Sequence, residues 1–122
     1  MESTKAKELT QLERTKVDAY KINSYELSKE SKSELDNAAE ALVKNPEWTI
    51  ELRGHCCDLG DEQTNYTIGM LRAKEAQKYL IAKGIEEKRI TIVSMGSKQP
   101  IVTNDSPANR ARNRRVEIKV NK

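Results

Sequence analysis

The chain contains no phenylalanine, and aromatic residues make up only 4% of it: Trp48, Tyr20, Tyr25, Tyr66 and Tyr79. No apolar run approaches the ~18–20 residues that span a bilayer, so no membrane insertion by this chain is expected. The start, Met1-Glu2-Ser3-Thr4-Lys5, is polar and does not read as a secretory signal. If the natural protein is exported, the chain is expected to be a piece of it that lacks the signal or anchor region. Cysteine is limited to the adjacent pair Cys56-Cys57, too few for a disulfide framework. Histidine is limited to His55. Charge of one sign is lacking too: 22 Lys+Arg against 19 Asp+Glu leave a net charge of +3.

These scarcities exclude several chemistries. His55, Cys56, Cys57 and Asp58 are all metal-ligand types, but adjacent side chains on an extended segment point to opposite faces. Zinc sites favour C-x₂₋₄-C spacing and a second ligand pair, and no other His or Cys can supply one. No metal and no cofactor are therefore expected. A catalytic Cys–His pair needs convergence through the fold, and His55 merely adjoins Cys56 in sequence. A strand-end histidine satisfied by backbone groups is the better reading. Gly54 and Gly60 lie near a strand-to-helix turn, but no Gly-Lys-Ser/Thr follows to hold a phosphate. No catalytic residue is expected.

What is present is enough for one domain: 122 residues with 36% hydrophobic and 34% charged. Residues 1–16 are polar with a faint period at Leu9 and Leu12, and read as a linker or fraying helix ahead of a domain over 17–122. Residues 15–25 read as a strand. Ser28 caps a helix whose Leu35, Ala38, Ala39 and Leu42 share a face, and Asn45-Pro46 stops it. Trp48 to Gly54 alternates as a half-buried strand. A loop over 56–63 leads to a helix over 65–83, with Ile68, Ala76, Tyr79 and Leu80 on its buried side. Strands follow over 89–94 and 114–120, separated by a loop over 96–108. The order β-α-β-α-β-β predicts an α/β (α+β) two-layer sandwich, with two helices on one face of a mixed sheet.

Two basic features stand out. Arg72 lies in or beside the apolar stripe of the second helix, so it must be paired or hold an anion. On the pattern alone a structural salt bridge or a snorkelling stem is the commoner solution. Arg110, Arg112, Arg114 and Arg115 form a cluster before the last strand. Nucleic-acid binding is one reading, but the net charge is small and no aromatics interleave to stack bases. A solvated, structurally paired cluster is the commoner one, and no nucleic-acid partner is expected.

Four separated stretches share one register: Gly54-His55-Cys56-Cys57-Asp58-Leu59-Gly60, Asn65 through Ile68-Gly69 to Arg72-Ala73, Gly96 through Pro100, and Arg110-Ala111-Arg112-Asn113-Arg114-Arg115-Val116-Glu117. Together with Tyr25-Glu26-Leu27 and the Trp48–Gly54 strand, they resemble the OmpA C-terminal-like domain. This is the peptidoglycan-binding module of outer-membrane porin-type proteins, peptidoglycan-associated lipoproteins and flagellar-motor stators. The resemblance covers about residues 17–120. It implies a non-catalytic domain of the periplasm, associated with the outer membrane, that grips the diaminopimelate-type stem peptide of peptidoglycan. It implies Arg72 as a bidentate fork for the stem's carboxylate, Asn65 as a residue lining the pocket and Arg114 as a supporting arginine. On this reading Arg72→Ala is expected to remove binding and spare the fold. The family's aspartate falls on Cys57, and the acidic residue here is Asp58, one place later. Either Cys57 leaves that place neutral or Asp58 takes the role through a shifted loop. The alternative function is the same fold with an altered pocket, working as a protein–protein module with other envelope proteins.

Overall fold

The computed structural model describes residues 4–18 and 20–121. Its elements run α1 (Thr4–Glu13), α2 (Lys29–Lys44), β1 (Thr49–His55), α3 (Glu62–Ala82), β2 (Ile90–Gly96), α4 (Pro107–Asn113) and β3 (Val116–Asn121). The strands form one mixed sheet in the order β2-β1-β3. β1 pairs parallel with β2 and antiparallel with β3. A parallel neighbour needs a crossover, and α3 supplies it.

Strand alternation decides which face is covered. Ile50 and Leu52 of β1 stand opposite Ile90 and Ile92 of β2, and opposite Val120 and Ile118 of β3. These residues share one face and join Leu35, Ala38 and Leu42 of α2 and Ala73, Ala76 and Leu80 of α3 in a single core. The other face carries Glu51, Arg53, Glu117 and Lys119, with Arg53 Nε donating to Glu51 at 2.6 Å. The expected two-layer arrangement, helices on one face of a mixed sheet, is the architecture found.

Local signals explain most element ends. Ser28 caps α2 by accepting from the Ser31 N–H at 3.0 Å. At its other end, Asn45 donates from Nδ2 to the Ala41 carbonyl at 2.8 Å. Arg89 then takes the Leu42 and Asn45 carbonyls at 2.9 Å each and the Trp48 carbonyl at 3.0 Å, tying the end of α2 to the entry of β1. Asp61 caps α3 by accepting from the Thr64 N–H at 2.7 Å. The buried stripe of α3 runs Asn65, Gly69, Arg72, Ala73, Ala76, Leu80. It is centred on Gly69, with Ile68 and Tyr79 only half-buried at its margin. Gly69 sits there because α3 rests directly on β1: a Cβ on Gly54 would fall 1.7 Å from the Gly69 carbonyl oxygen.

Three elements differ from the expectation. Of the stretch read as a linker or fraying helix, Thr4–Glu13 form a helix that packs on the domain. Leu12 is 2% exposed, Glu13 Oε2 accepts the Val120 N–H at 3.2 Å, and Asn45 donates to Glu8 at 2.6 Å. Leu12→Ala is expected to lower the unfolding free energy by about 2–4 kcal/mol in a denaturant titration. The strand expected over 15–25 shrinks to one antiparallel bridge between Val17 and Val116. The chain then turns, with Asn23 at φ 59 and the Ser24 N–H on the Lys21 carbonyl at 3.0 Å. Carbonyls that would extend a ladder are taken by arginines instead. Finally, α4 occupies the end of the expected loop and reaches Asn113. Ser106 caps it at the Asn109 N–H, 3.1 Å, and Pro107 fits its first turn.

Candidate functional site

The C-terminal end of β1, the first half of α3, the turn over 20–24 and the residue that ends α4 converge on two arginines. Arg72 is fully buried, because its helix lies flat on β1 at Gly54 and Gly69. Its Nε donates to the Ser24 carbonyl at 2.7 Å, Nη1 to the His55 carbonyl at 3.0 Å, and Nη2 to the Lys21 carbonyl at 3.1 Å. The Tyr20 ring lies against its guanidinium, 4.8 Å from centroid to carbon. Three of its five N–H bonds go to carbonyls, and the Cys56 thiol also interacts with the guanidinium. Burial lowers the Arg72 pKa, the Cys56 thiol and the Tyr20 hydroxyl oppose that shift, and Arg114 adds to it.

Arg114 is 8% exposed. Its Nε donates to the Tyr20 carbonyl and its Nη1 to Cys57 Sγ at 3.4 Å. Among the described residues, no hydrogen bond or ion pair of Arg72 or Arg114 goes to a carboxylate. Two buried cations side by side without an anion are costly, and such a place favours an anionic group.

The other expected site residues divide. Cys57 is buried at the site, against Arg114. Asn65 is 2% exposed and ties the start of α3 to the loop before it. Its Oδ1 accepts from Cys56 Sγ at 3.5 Å, and its Nδ2 reaches the Gly60 carbonyl at 3.5 Å. Burial raises the Cys56 pKa, and Arg72 works against the shift. Asp58 turns away: its Oδ1 takes the Arg110 Nε at 2.9 Å on the exposed side. Of the two openings the sequence leaves, the structure has the one in which Cys57, and not Asp58, stands beside the arginines.

Tyr20 and the carbonyls of residues 20, 21, 24 and 55 were not anticipated. A backbone carbonyl has no side-chain signature, and Tyr20 reads as an ordinary core aromatic. Its buried hydroxyl has no hydrogen-bond partner. Burial pushes that hydroxyl's pKa well up, Arg72 pulls it down, and Glu75 and Asp18 add to the rise.

The histidine departs from its expected role. His55 is 1% exposed, and its ring nitrogens find no backbone partner. Nε2 lies 3.2 Å from Glu117 Oε1 instead. The strand alternation puts both residues on the sheet face opposite the core, and Arg115 takes Glu117 Oε2 at 2.8 Å. His55 first, then Arg115, hold the Glu117 carboxyl down to about 2, against the opposing effect of burial. A depressed carboxyl contributes stability that is complete above its unfolded value near 4.5 and fades as the pH falls toward 2. Glu117→Gln is therefore expected to flatten the acid limb of a stability–pH curve between those values and to leave its alkaline side unchanged in slope. Two members of the basic cluster are ion-paired, Arg110 by Asp58 and Arg115 by Glu117, with Arg115 also on the Asn113 and Gln99 carbonyls.

Fold and site together define a small α/β domain that closes a pair of cations under a loop at one end of its sheet. The chain belongs to the OmpA family, whose model matches residues 19–114. It is 38% identical over 87 residues to the peptidoglycan-binding protein ArfA of Mycobacterium tuberculosis, covering 71% of this chain and 27% of that protein. It is 33% identical over 100 residues to the peptidoglycan-associated lipoprotein of Pseudomonas aeruginosa, covering 82% of this chain and 59% of that one. The chain thus spans less than two thirds of the curated relatives' length. The C-terminal domain of Helicobacter pylori MotB superposes with a TM-score of 0.79 at 26% identity, over 88% of this chain and 84% of that domain. The peptidoglycan-associated lipoprotein of Burkholderia pseudomallei superposes at 0.83 and 23% identity, over 88% and 90%, and so speaks for the fold.

Proposed function

We propose that the domain binds peptidoglycan non-covalently and anchors an envelope component to the cell wall, without catalysing a reaction. The observation that carries this reading is the pair of buried arginines, Arg72 and Arg114, with no carboxylate partner. The stem peptide of peptidoglycan ends in free carboxylates, and a planar guanidinium without an anionic partner suits a carboxylate's two oxygens. The names of the relatives, a peptidoglycan-binding protein and a peptidoglycan-associated lipoprotein, support the same polymer. The site is Arg72, Arg114, Cys57 and Asn65; Asp58 stays outside it, held by Arg110. A diaminopimelate-type stem enters by its carboxylate. The location this function requires is the periplasm, against the outer membrane, and no helix among the described residues is long and apolar enough to cross a membrane.

The test is co-sedimentation with purified peptidoglycan sacculi. The expected result is saturable binding that soluble stem peptide competes away; recovery of the chain in the supernatant at every sacculus concentration would dismiss the proposal. One observation favours a second reading. Arg72 is fully buried under three backbone carbonyls, as a purely structural arginine would be. On that reading the altered pocket is closed and the domain meets another envelope protein. Loss of sacculus binding with a fully folded parent chain is its expected signature.

A further inference from the structure

We infer that the site selects a stem residue whose side chain ends in a carboxylate without a neighbouring ammonium, in preference to the zwitterionic end of diaminopimelate. This rests on the peptidoglycan reading and goes beyond it by naming the ligand's charge pattern. The argument is an inventory of acceptors. An ammonium entering beside two guanidiniums needs a carboxylate or several free carbonyls to receive its three N–H bonds.

Neither is on hand. The carbonyls that line the place are those of Tyr20, Lys21, Ser24 and His55, and each already accepts an arginine N–H. Asp58 is engaged by Arg110 at 2.9 Å. Glu117 is engaged by Arg115 and lies beside His55 on the opposite sheet face. Glu75 is 3.5 Å from Lys78, and with Asp18 it bears on the Tyr20 hydroxyl. The side chain that does face Arg114 is Cys57, a thiol and a weak acceptor. Asn65 Oδ1 already receives the Cys56 thiol. Between the guanidiniums a carboxylate meets two cations, whereas an ammonium meets the same two cations with a thiol, not a carboxylate, in contact with Arg114.

Three probes separate the possibilities, each blocked as the Nα-acetyl, α-carboxamide derivative so that only the side-chain end differs. 2-Aminopimelate ends in a carboxylate, meso-diaminopimelate in a carboxylate and an ammonium, and lysine in an ammonium. Isothermal titration of the whole chain is expected to rank them in that order. The aminopimelate derivative should bind about tenfold more tightly than the diaminopimelate one, the equivalent of about 1.4 kcal/mol, and the lysine derivative should give no heat. In Cys57→Asp the first two are expected to exchange places, because a carboxylate then stands beside Arg114. Equal or tighter binding of the diaminopimelate derivative by the parent chain overturns the inference, and the sacculus-binding reading then stands if co-sedimentation persists. No heat from any probe, together with no co-sedimentation, overturns both. No heat with co-sedimentation intact overturns the inference alone, since the polymer is then held elsewhere.

Discussion

Arg72→Ala is expected to destabilise the domain by about 3–5 kcal/mol, an effect large enough to lower its melting midpoint visibly. The sequence alone suggests a ligand arginine whose removal spares the fold; the structure gives it a structural duty as well. Its loss would leave the Ser24, His55 and Lys21 carbonyls without their donor and the Tyr20 ring without its cation. Part of the cost is returned, because Arg114 no longer faces a like charge. The binding role is therefore better tested by Arg72→Lys, which keeps the charge and loses the planar fork. That variant should fold and bind sacculi at least tenfold more weakly. Parent-like melting of Arg72→Ala would remove the structural duty, and parent-like binding by folded Arg72→Lys would remove the fork.

An effect of similar size is expected at Gly54, for a purely steric reason. An added Cβ there would lie 1.7 Å from the Gly69 carbonyl oxygen and 2.5 Å from its carbon, both backbone atoms that cannot swing aside. Gly54→Ala must push α3 off β1, and the core between them opens with it. About 4 kcal/mol or more is expected, and the chain should lose its cooperative transition in urea. Gly84→Ala provides the contrast. Gly84 has φ +100 but open space around its Cβ position, so only backbone strain of about 1–2 kcal/mol is expected. If the two variants unfold at the same denaturant concentration, the close approach of α3 and β1 is not the reason for glycine at 54.

What the sequence disclosed follows from where the determining atoms lie. α2 was legible because its cap, its apolar spacing and its stop at Asn45-Pro46 are all side-chain features. β1 was legible because Ile50 and Leu52 alternate with Glu51 and Arg53. The direction of Asp58 was left open by the sequence because it lies in a loop; the contact that decides it is the Arg110 guanidinium at 2.9 Å. Of the four residues expected on the buried side of α3, Ala76 and Leu80 are buried and Ile68 and Tyr79 only half-buried; periodicity rewards apolar bulk, whereas a helix lying on a strand requires a residue with no side chain, here Gly69. The strand expected over 15–25 failed for a related reason: Val17 and Tyr20 look like ladder residues, but the carbonyls nearby are claimed from 48 and 51 residues away by Arg72. α4 could have been read from Ser106-Pro107, a cap followed by a first-turn proline, had the run of arginines not drawn attention to charge. At the site, Arg72, Arg114 and Cys57 were identifiable as side chains, whereas their four carbonyl partners were not.

Because Arg72 grips Lys21 and Ser24 by main-chain oxygens, the turn's letters and the turn's path are under different constraints. Exchanging the Lys21 or Ser24 side chain leaves the gripped atoms in place, so these two positions are free to drift in composition. Length is another matter. One residue inserted or deleted between 20 and 24 would carry one carbonyl out of reach of a guanidinium that cannot follow it, since Arg72 is fixed by a helix pressed against the sheet. Substitution scanning would thus report positions 21 and 24 as tolerant, and an indel scan would report the turn as one of the least forgiving places in the molecule.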